Sequence, residues 1–201
     1  MRRPRRKADE TREDILTKAE AMLRDNGIAG FSIADLAAAL GMSPANVFKH
    51  FHSKAVLADA ICERHVSRMI ARFQADGSDA PAPERLAVAV CQLMEVHLAD
   101  IRENPFLFEM LVLMANNASL PSALRYKSLI EAMFKDLIRH GIDAGVYRSV
   151  DLESMSSTVG AAFASVLHPV FLMHADESEL RQRCASLAAL VNAALQSPLV
   201  K

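Results

Sequence analysis

Three serines spaced ten or eleven residues apart, Ser32, Ser43 and Ser53, mark the starts of three consecutive helices. Asp35 stands three residues after the first serine, as in a capping box, and Pro44 occupies the first helical position after the second. Serine is a preferred residue at the position before a helix, because its hydroxyl accepts a bond from a free backbone N–H. The pattern predicts helices over about residues 32–40, 43–50 and 54–73.

A glycine separates the first two of these helices, and another helix precedes them. Ile15, Ala19 and Leu23 recur at helical spacing before the chain reaches Asn26-Gly27. Gly41 lies in the short turn between the helix at 32–40 and the helix at 43–50, where a positive φ suits glycine. Two short helices joined by a tight glycine turn are typical of a helix-turn-helix, with an ordinary helical hairpin as the alternative.

The composition favours helices throughout the chain. The 201 residues include 33 Ala and 23 Leu, while Gly and Pro together number 15. Strong helix formers therefore dominate and turn formers are scarce, which predicts an all-α protein and excludes sheet folds. No run of 18 apolar residues is present, so we expect no membrane-spanning segment.

The charges and the cysteines narrow the class of protein. The formal net charge is −1, but residues 1–64 hold 11 Lys/Arg against 9 Asp/Glu, and five of these cations lie within residues 2–7. A basic arm before a nearly neutral body suggests contact with nucleic acid. The three cysteines, Cys62, Cys91 and Cys184, are far apart and form no C-x-x-C, so we expect a reduced, cytoplasmic protein.

Longer helices follow a polar, Pro-containing linker at 76–83. Their apolar spacing predicts helices over about 83–103, 105–115, 120–140, 151–174 and 177–196, for about nine in the whole chain. Gly141 is expected to end the third of these helices. Pro169 removes a helical hydrogen bond and is expected to bend the helix at 151–174 beside a possible pocket.

The last two predicted helices carry apolar seams close to heptad spacing, with small residues beside them. Two such seams suit a four-helix interface between two copies of the chain, although packing within one chain is the alternative. The seam residues predicted to form a dimer interface are Leu152, Met155, Val159, Ala162, Val166, Leu180, Cys184, Leu187 and Val191.

The N-terminal segment resembles the DNA-binding region of the tetracycline-repressor (TetR) family. The resemblance covers residues 11–57 and includes Phe31-Ser32-Ile33, the run Leu40-Gly41-Met42-Ser43-Pro44-Ala45-Asn46-Val47-Phe48-Lys49-His50-Phe51, and Ser53-Lys54. It implies a homodimeric transcription factor, usually a repressor, that binds an inverted repeat in double-stranded DNA and is released by a small molecule. The expected division is a basic arm at 1–10, a helix-turn-helix domain at 11–55, and a helical ligand-binding and dimerisation domain at 56–201.

The helix at 43–50 is the expected recognition helix. Val47 and Phe51 face the core, which leaves the other side for DNA. Asn46 can pair with an adenine edge and Lys49 with a guanine edge, while small apolar residues suit a thymine methyl. The residues predicted to contact bases are Pro44, Ala45, Asn46 and Lys49. The side chain of Lys49 suits a contact to a phosphate as well as a contact to a base.

Phosphates are expected at helix starts, where free backbone N–H groups favour an anion. Lys54 also stands where the family has a phosphate-binding lysine. Phe48 departs from the family pattern, which usually has Tyr there, so one phosphate contact through a hydroxyl is lost. The residues predicted to lie along the DNA backbone are Ser32, Ser43, Phe48, His50, Ser53 and Lys54. Arg2, Arg3, Arg5, Arg6 and Lys7 follow the minor groove or form a solvated tail.

An apolar cavity is expected between the linker and the final helices. Methionine is abundant, at ten residues, and adapts to varied ligands. The predicted lining is Met94, His97, Phe106, Met110, Met114, Tyr126, Met133, Phe134, Phe163 and Phe171, although each of these residues also suits a plain core.

An enzyme or a helical ligand carrier is the alternative class of function. No H-E-x-x-H, G-x-S-x-G or phosphate-binding glycine loop is present, and the seven histidines lack metal-binding spacing. We therefore expect no catalytic residue, no metal and no cofactor. A nonspecific architectural DNA binder would need a more basic body. The sequence thus favours a regulator that binds DNA.

Overall fold

The computed structural model describes residues 8–73, 80–115 and 119–197. Residues 1–7 of the arm predicted at 1–10 and residues 76–79 of the linker predicted at 76–83 lie outside these described residues, whereas residues 8–10 belong to the first helix. Within them the chain is helical and contains no strand, which confirms the all-α prediction.

Eleven helices occur within the described residues. They are α1 (Ala8–Asn26), α2 (Ile33–Ala39), α3 (Pro44–His50), α4 (Lys54–Phe73), α5 (Ala82–Glu103), α6 (Pro105–Ala115), α7 (Pro121–Asp143), α8 (Leu152–Ala162), α9 (Ala164–Leu167), α10 (Pro169–Leu172) and α11 (Glu177–Gln196).

The difference from the predicted nine helices lies at residues 151–174, which form three helices instead of one. His168 adopts an extended conformation, with φ −79° and ψ 130°, because the ring of the following Pro169 disfavours a helical backbone before it. The bend was predicted at the correct position. A second break, at Phe163, had no sequence signal.

The helix predicted to end at Gly141 continues to Asp143. Gly141 instead makes room for the ring of Tyr147, since a Cβ at this position would lie 2.0 Å from Tyr147 Cδ2. The positive φ of +70° that turns the chain belongs to Gly145.

Two apolar cores meet along α4. The smaller core joins α1, α2 and α3 to the first half of α4 through Leu57, Ile61 and Cys62. The larger core, formed by α5 to α11, begins on α4 only at Met69. One continuous helix therefore belongs to both cores. No helix among the described residues is both long enough and apolar enough to cross a bilayer.

Candidate nucleic-acid interface and ligand cavity

The turn between α2 and α3 is built by its caps. Ser32 Oγ accepts a bond from the N–H of Asp35 at 3.1 Å and donates to the carboxylate of Asp35 at 2.5 Å. Ser43 Oγ accepts a bond from the N–H of Asn46 at 3.3 Å, and Gly41 turns the chain with a φ of +64°. These contacts confirm the predicted starts of both helices and the predicted role of the glycine.

One side of α3 packs inward and the other is free. Val47 and Phe51 are buried in the smaller core, and Pro44, Ala45 and Lys49 are exposed. Three of the four residues predicted to contact bases are thus exposed on α3, and Asn46 is half-buried.

The side chain of Asn46 is held only weakly. Its amide nitrogen lies 3.6 Å from Met42 Sδ. A thioether is a weak acceptor, so exchanging this contact for a base edge would cost little.

The residues predicted to lie along the DNA backbone are on α3 (Phe48, His50), directly before α2 and α3 (Ser32, Ser43), and at the start of α4 (Ser53, Lys54). Phe48 is 41% exposed, and Ser53 Oγ accepts a bond from the N–H of Val56 at 3.1 Å. Lys54 Nζ donates to the carbonyl of Phe31 at 2.9 Å, directly before the start of α2. An ammonium carries three donors, so this bond leaves Lys54 capacity for a phosphate.

Arg12 is a residue whose role sequence reasoning missed. Its guanidinium donates to the carbonyl of His50 at 2.9 Å and lies 4.1 Å from the centre of the Phe51 ring. It therefore ties the end of α3 to α1, as cationic groups do at the last carbonyls of a helix. The two residues are 38 positions apart, and no local pattern links them.

Charged pairs join α4 to α1. The buried carboxylate of Glu20 lies 3.0 Å from Arg68 Nη2 and 3.4 Å from Arg64 Nε. Arg64 also pairs with Glu13 at 3.2 Å. Because a buried carboxylate without its partner is costly, these pairs oppose the separation of α4 from α1.

A second set of polar contacts joins α4 to the larger core. Asp59 accepts bonds from the backbone N–H of Ser122 at 3.1 Å and from its hydroxyl at 2.6 Å. His65 Nε2 lies 3.1 Å from Asp100, which also pairs with Arg72 at 3.0 Å. The helix that supports the headpiece (α1 to α3) is thus fixed to both α5 and α7.

A cavity of about 420 Å³ lies beside these contacts, within the range of small-molecule sites. Its wall is predominantly apolar. The lining residues come from α4 (His65, Val66, Met69), α5 (His97), α6 (Leu111), α7 (Ser122, Ala123, Leu124, Tyr126, Lys127, Ile130, Glu131), α8 (Ser157, Gly160, Ala161) and the segment from α9 to α10 (Ala164, Leu167, His168, Pro169).

The polar part of the wall is a chain of hydrogen bonds. His97 Nε2 lies 2.9 Å from the hydroxyl of Tyr126, which donates to the carbonyl of Leu167 at 3.3 Å. Burial lowers the pKa of His97 to about 4 and raises the pKa of Tyr126, so both groups are uncharged at neutral pH. Among the described residues, His97 Nδ1 has no hydrogen-bond partner.

The ten residues predicted to line a pocket are dispersed. His97 and Tyr126 line the 420 Å³ cavity, and Met133 lines a second cavity of about 340 Å³ between α4, α5 and α7. Tyr126 belongs to the walls of both cavities.

The other predicted pocket residues lie elsewhere. Phe134 and Phe163 stack with their centres 5.4 Å apart in the larger core, which also contains Met94. Met110 belongs to the smaller core, the Phe106 ring packs beneath Gly27, and Phe171 is exposed. The side chain of Met114 is outside the described part of the structure. The wall of the 420 Å³ cavity instead includes residues of α4, which the sequence analysis did not consider.

The predicted dimer seam requires a correction. Five of its nine residues are buried within the core of one chain, where they cannot meet a second copy. These residues are Val159, Val166, Leu180, Cys184 and Val191. Cys184 Sγ lies 3.3 Å from Cys91 Sγ, so this side of α11 faces α5. The heptad spacing was the signature of intrachain packing.

The opposite sides of these helices are exposed and contain small residues. Ala162, itself one of the nine, and Ala161 are exposed on α8. On α11, Ala185, Ala189 and Ala193 are exposed beside Leu190, which is 65% exposed. Leu152, Met155 and Leu187 are half-buried.

Two family models match the chain. Residues 15–61 match the model of bacterial regulatory proteins of the tetR family. Residues 82–188, more than half of the chain, match the tetracyclin repressor-like C-terminal domain. No curated protein matches the chain in a sequence search.

Solved structures share the fold over nearly the whole length. A TetR transcription regulator from Haloarcula marismortui is 23% identical, with a TM-score of 0.66 over 94% of this chain and 100% of that one. A TetR-family regulator from Pectobacterium atrosepticum is 21% identical, with a TM-score of 0.67 over 96% of each chain. RolR in complex with resorcinol is 17% identical, with a TM-score of 0.67 over 96% of this chain and 97% of that one.

Proposed function

This chain belongs to the TetR family of bacterial regulatory proteins, and we propose that it is a repressor that leaves its DNA when a small molecule occupies the 420 Å³ cavity. As a homodimer it binds a palindromic operator, with one α3 in each half-site. It works in the cytoplasm, where the chromosome is.

The observation that carries this proposal is the position of α4. Its first half supplies Leu57 and Ile61 to the core under the DNA-binding helices. Its second half supplies His65 and Met69 to the cavity wall. A displacement of this helix by a ligand is therefore transmitted to α3 by a single rigid element.

Thermodynamic linkage gives the effect of such a displacement on the affinities for ligand and DNA. A ligand that prefers the arrangement in which the two α3 helices are wrongly spaced must bind less tightly when DNA is present, and DNA must bind less tightly when the ligand is present. Asp59 and His65 are the groups on α4 that a ligand would disturb first. Asp59 is bonded to the lining residue Ser122, and His65 itself lines the cavity.

Two further observations support parts of the proposal. The relative RolR is described in a complex with resorcinol, which supports a small molecule as the effector. The exposed side of α11 around Leu190 supports homodimerisation, since an apolar side chain among alanines allows close approach of a second copy.

The test of specific DNA binding is selection of bound fragments from random DNA, followed by sequencing. We expect an inverted repeat. Asn46→Ala should relax the preference at one base pair in each half-site and cost about 1–3 kcal/mol there. Lys54→Ala is the matched comparison, because loss of a phosphate contact weakens binding to all sequences alike.

Two results would contradict the assignment. One is recovery of fragments with no shared sequence. The other is an equal loss of affinity for the selected sequence and for random DNA in Asn46→Ala, which would remove Asn46 from base recognition.

A further inference from the structure

The charges of the cavity wall indicate which class of molecule it accepts. Lys127 and Glu131 lie on one face of α7 with their charged groups 3.8 Å apart. His65 Nε2 lies 3.1 Å from a carboxylate oxygen of Asp100, which also pairs with Arg72. The two ionic side chains of the wall, Lys127 and Glu131, thus lie beside each other.

The remaining polar groups of the wall are neutral. His97 is only 2% exposed, and burial holds its pKa near 4. Burial also lowers the pKa of His168, whose Nδ1 accepts a bond from the N–H of Val170 at 3.4 Å. The hydroxyl of Ser122 is bonded to Asp59. An anion or a cation in this cavity would lose its hydration, and among the lining residues it would meet only the ionic pair of Lys127 and Glu131.

The hydrogen-bond chain also indicates whether the unpartnered His97 Nδ1 is a donor or an acceptor. Both bonds of Tyr126 are satisfied in the tautomer with the proton on His97 Nε2, in which the hydroxyl donates to Leu167 and its oxygen accepts from His97. A neutral imidazole carries one proton, which leaves Nδ1 as an acceptor. A buried acceptor without a partner destabilises the protein, and a ligand donor can relieve that cost.

We propose that the cavity binds an uncharged molecule with an apolar body and one hydrogen-bond donor, such as a hydroxyl, that pairs with His97 Nδ1. This inference rests on the proposed function for the role of the cavity, and it adds the charge and the head group of the effector. A carboxylate or an amine of the same shape would bind more weakly, because it would lose its hydration against a predominantly apolar wall.

A matched series of compounds tests the class directly. The probes are 1-adamantanol, its methyl ether, 1-adamantanecarboxylate and 1-adamantylammonium. The corresponding cyclohexyl compounds provide the same four head groups on a smaller apolar body. Binding to the full chain is measured by calorimetry at pH 7.5 without DNA. We expect the alcohol to bind most tightly. The ether should be weaker by about 2- to 10-fold through loss of the donor. Both ions should be weaker by more than about tenfold.

Two variants connect the result to His97. His97→Met removes the acceptor in a side chain of similar size, so the alcohol should bind no better than the ether. Tyr126→Phe leaves the ring in place but frees the imidazole to change tautomer, so the gap between alcohol and ether should narrow. Thermal melts of both variants identify any loss of folding.

The outcomes separate this inference from the proposed function. If the alcohol binds but operator affinity is unchanged, the proposed class of ligand is correct and the proposed release from DNA is wrong. If a carboxylate or amine binds more tightly and releases the operator, the switch holds and the ligand class is wrong. Failure of every probe to bind the folded protein would also overturn the ligand class.

Discussion

Replacing Leu190 with glutamate is expected to convert the protein from dimer to monomer and to lower its operator affinity by about a hundredfold or more. Leu190 is 65% exposed on α11, among exposed alanines. In a dimer through this face, a carboxylate would be desolvated without a partner, which strongly opposes association. A monomer then binds one half-site and loses the avidity of two. Light scattering and fluorescence anisotropy measure the two effects.

Leu113→Glu is the matched control. Leu113 is 59% exposed, on α6. The same substitution there should leave unchanged both the molar mass of the dimer by light scattering and the operator affinity. Neither substitution touches a core, and far-ultraviolet circular dichroism should match the wild type. A wild type that is monomeric at micromolar concentration, or a Leu190→Glu variant that stays dimeric, would show that this face is not the interface.

The stability of the protein is expected to fall as the pH drops from about 6.5 to 4, and His97 should account for up to about 3 kcal/mol of that loss. Burial lowers the pKa of His97 from 6.5 to about 4, with Asp100 opposing the shift and His65 and His168 adding to it. Between these values the unfolded chain binds a proton that the folded chain does not, so protons favour unfolding. The contribution is complete above about pH 6.5 and lost below about pH 4.

Urea unfolding at pH 7.5 and pH 5 measures this effect. His97→Met should lose less stability between the two pH values than the wild type, whatever its stability at pH 7.5. His140→Gln replaces an exposed histidine on α7 and should follow the wild type. Equal pH dependence in His97→Met and the wild type would mean that His97 titrates normally in the folded protein.

Local signals predicted the headpiece well, because its structure depends on short-range contacts. Ser32 and Ser43 cap their helices with their own hydroxyls, and Gly41 turns the chain within the same few residues. The bend at His168 follows from the next residue along the chain. Each of these features can be predicted from neighbouring residues alone.

The cavity and the interface depend on which helices meet, and local patterns do not contain that information. A heptad seam on α11 predicts that one face is buried, but α5 rather than a second copy covers it, as the contact of Cys184 with Cys91 shows. Phe134 and Phe163 have the spacing of lining residues but stack on each other. His65 lies in the wall because α4 belongs to both cores, which no spacing between the linker and the final helices could indicate.

The central claim, that one helix couples the operator to the cavity, is tested most directly by operator titration with and without a ligand. A thermal-shift screen first supplies a molecule that stabilises the protein, and fluorescence anisotropy then gives the operator affinity at saturating ligand. The account predicts a loss of about 5- to 150-fold, with the same factor for the ligand when DNA is bound. A ligand shown to bind in the cavity that leaves the operator affinity unchanged would contradict it.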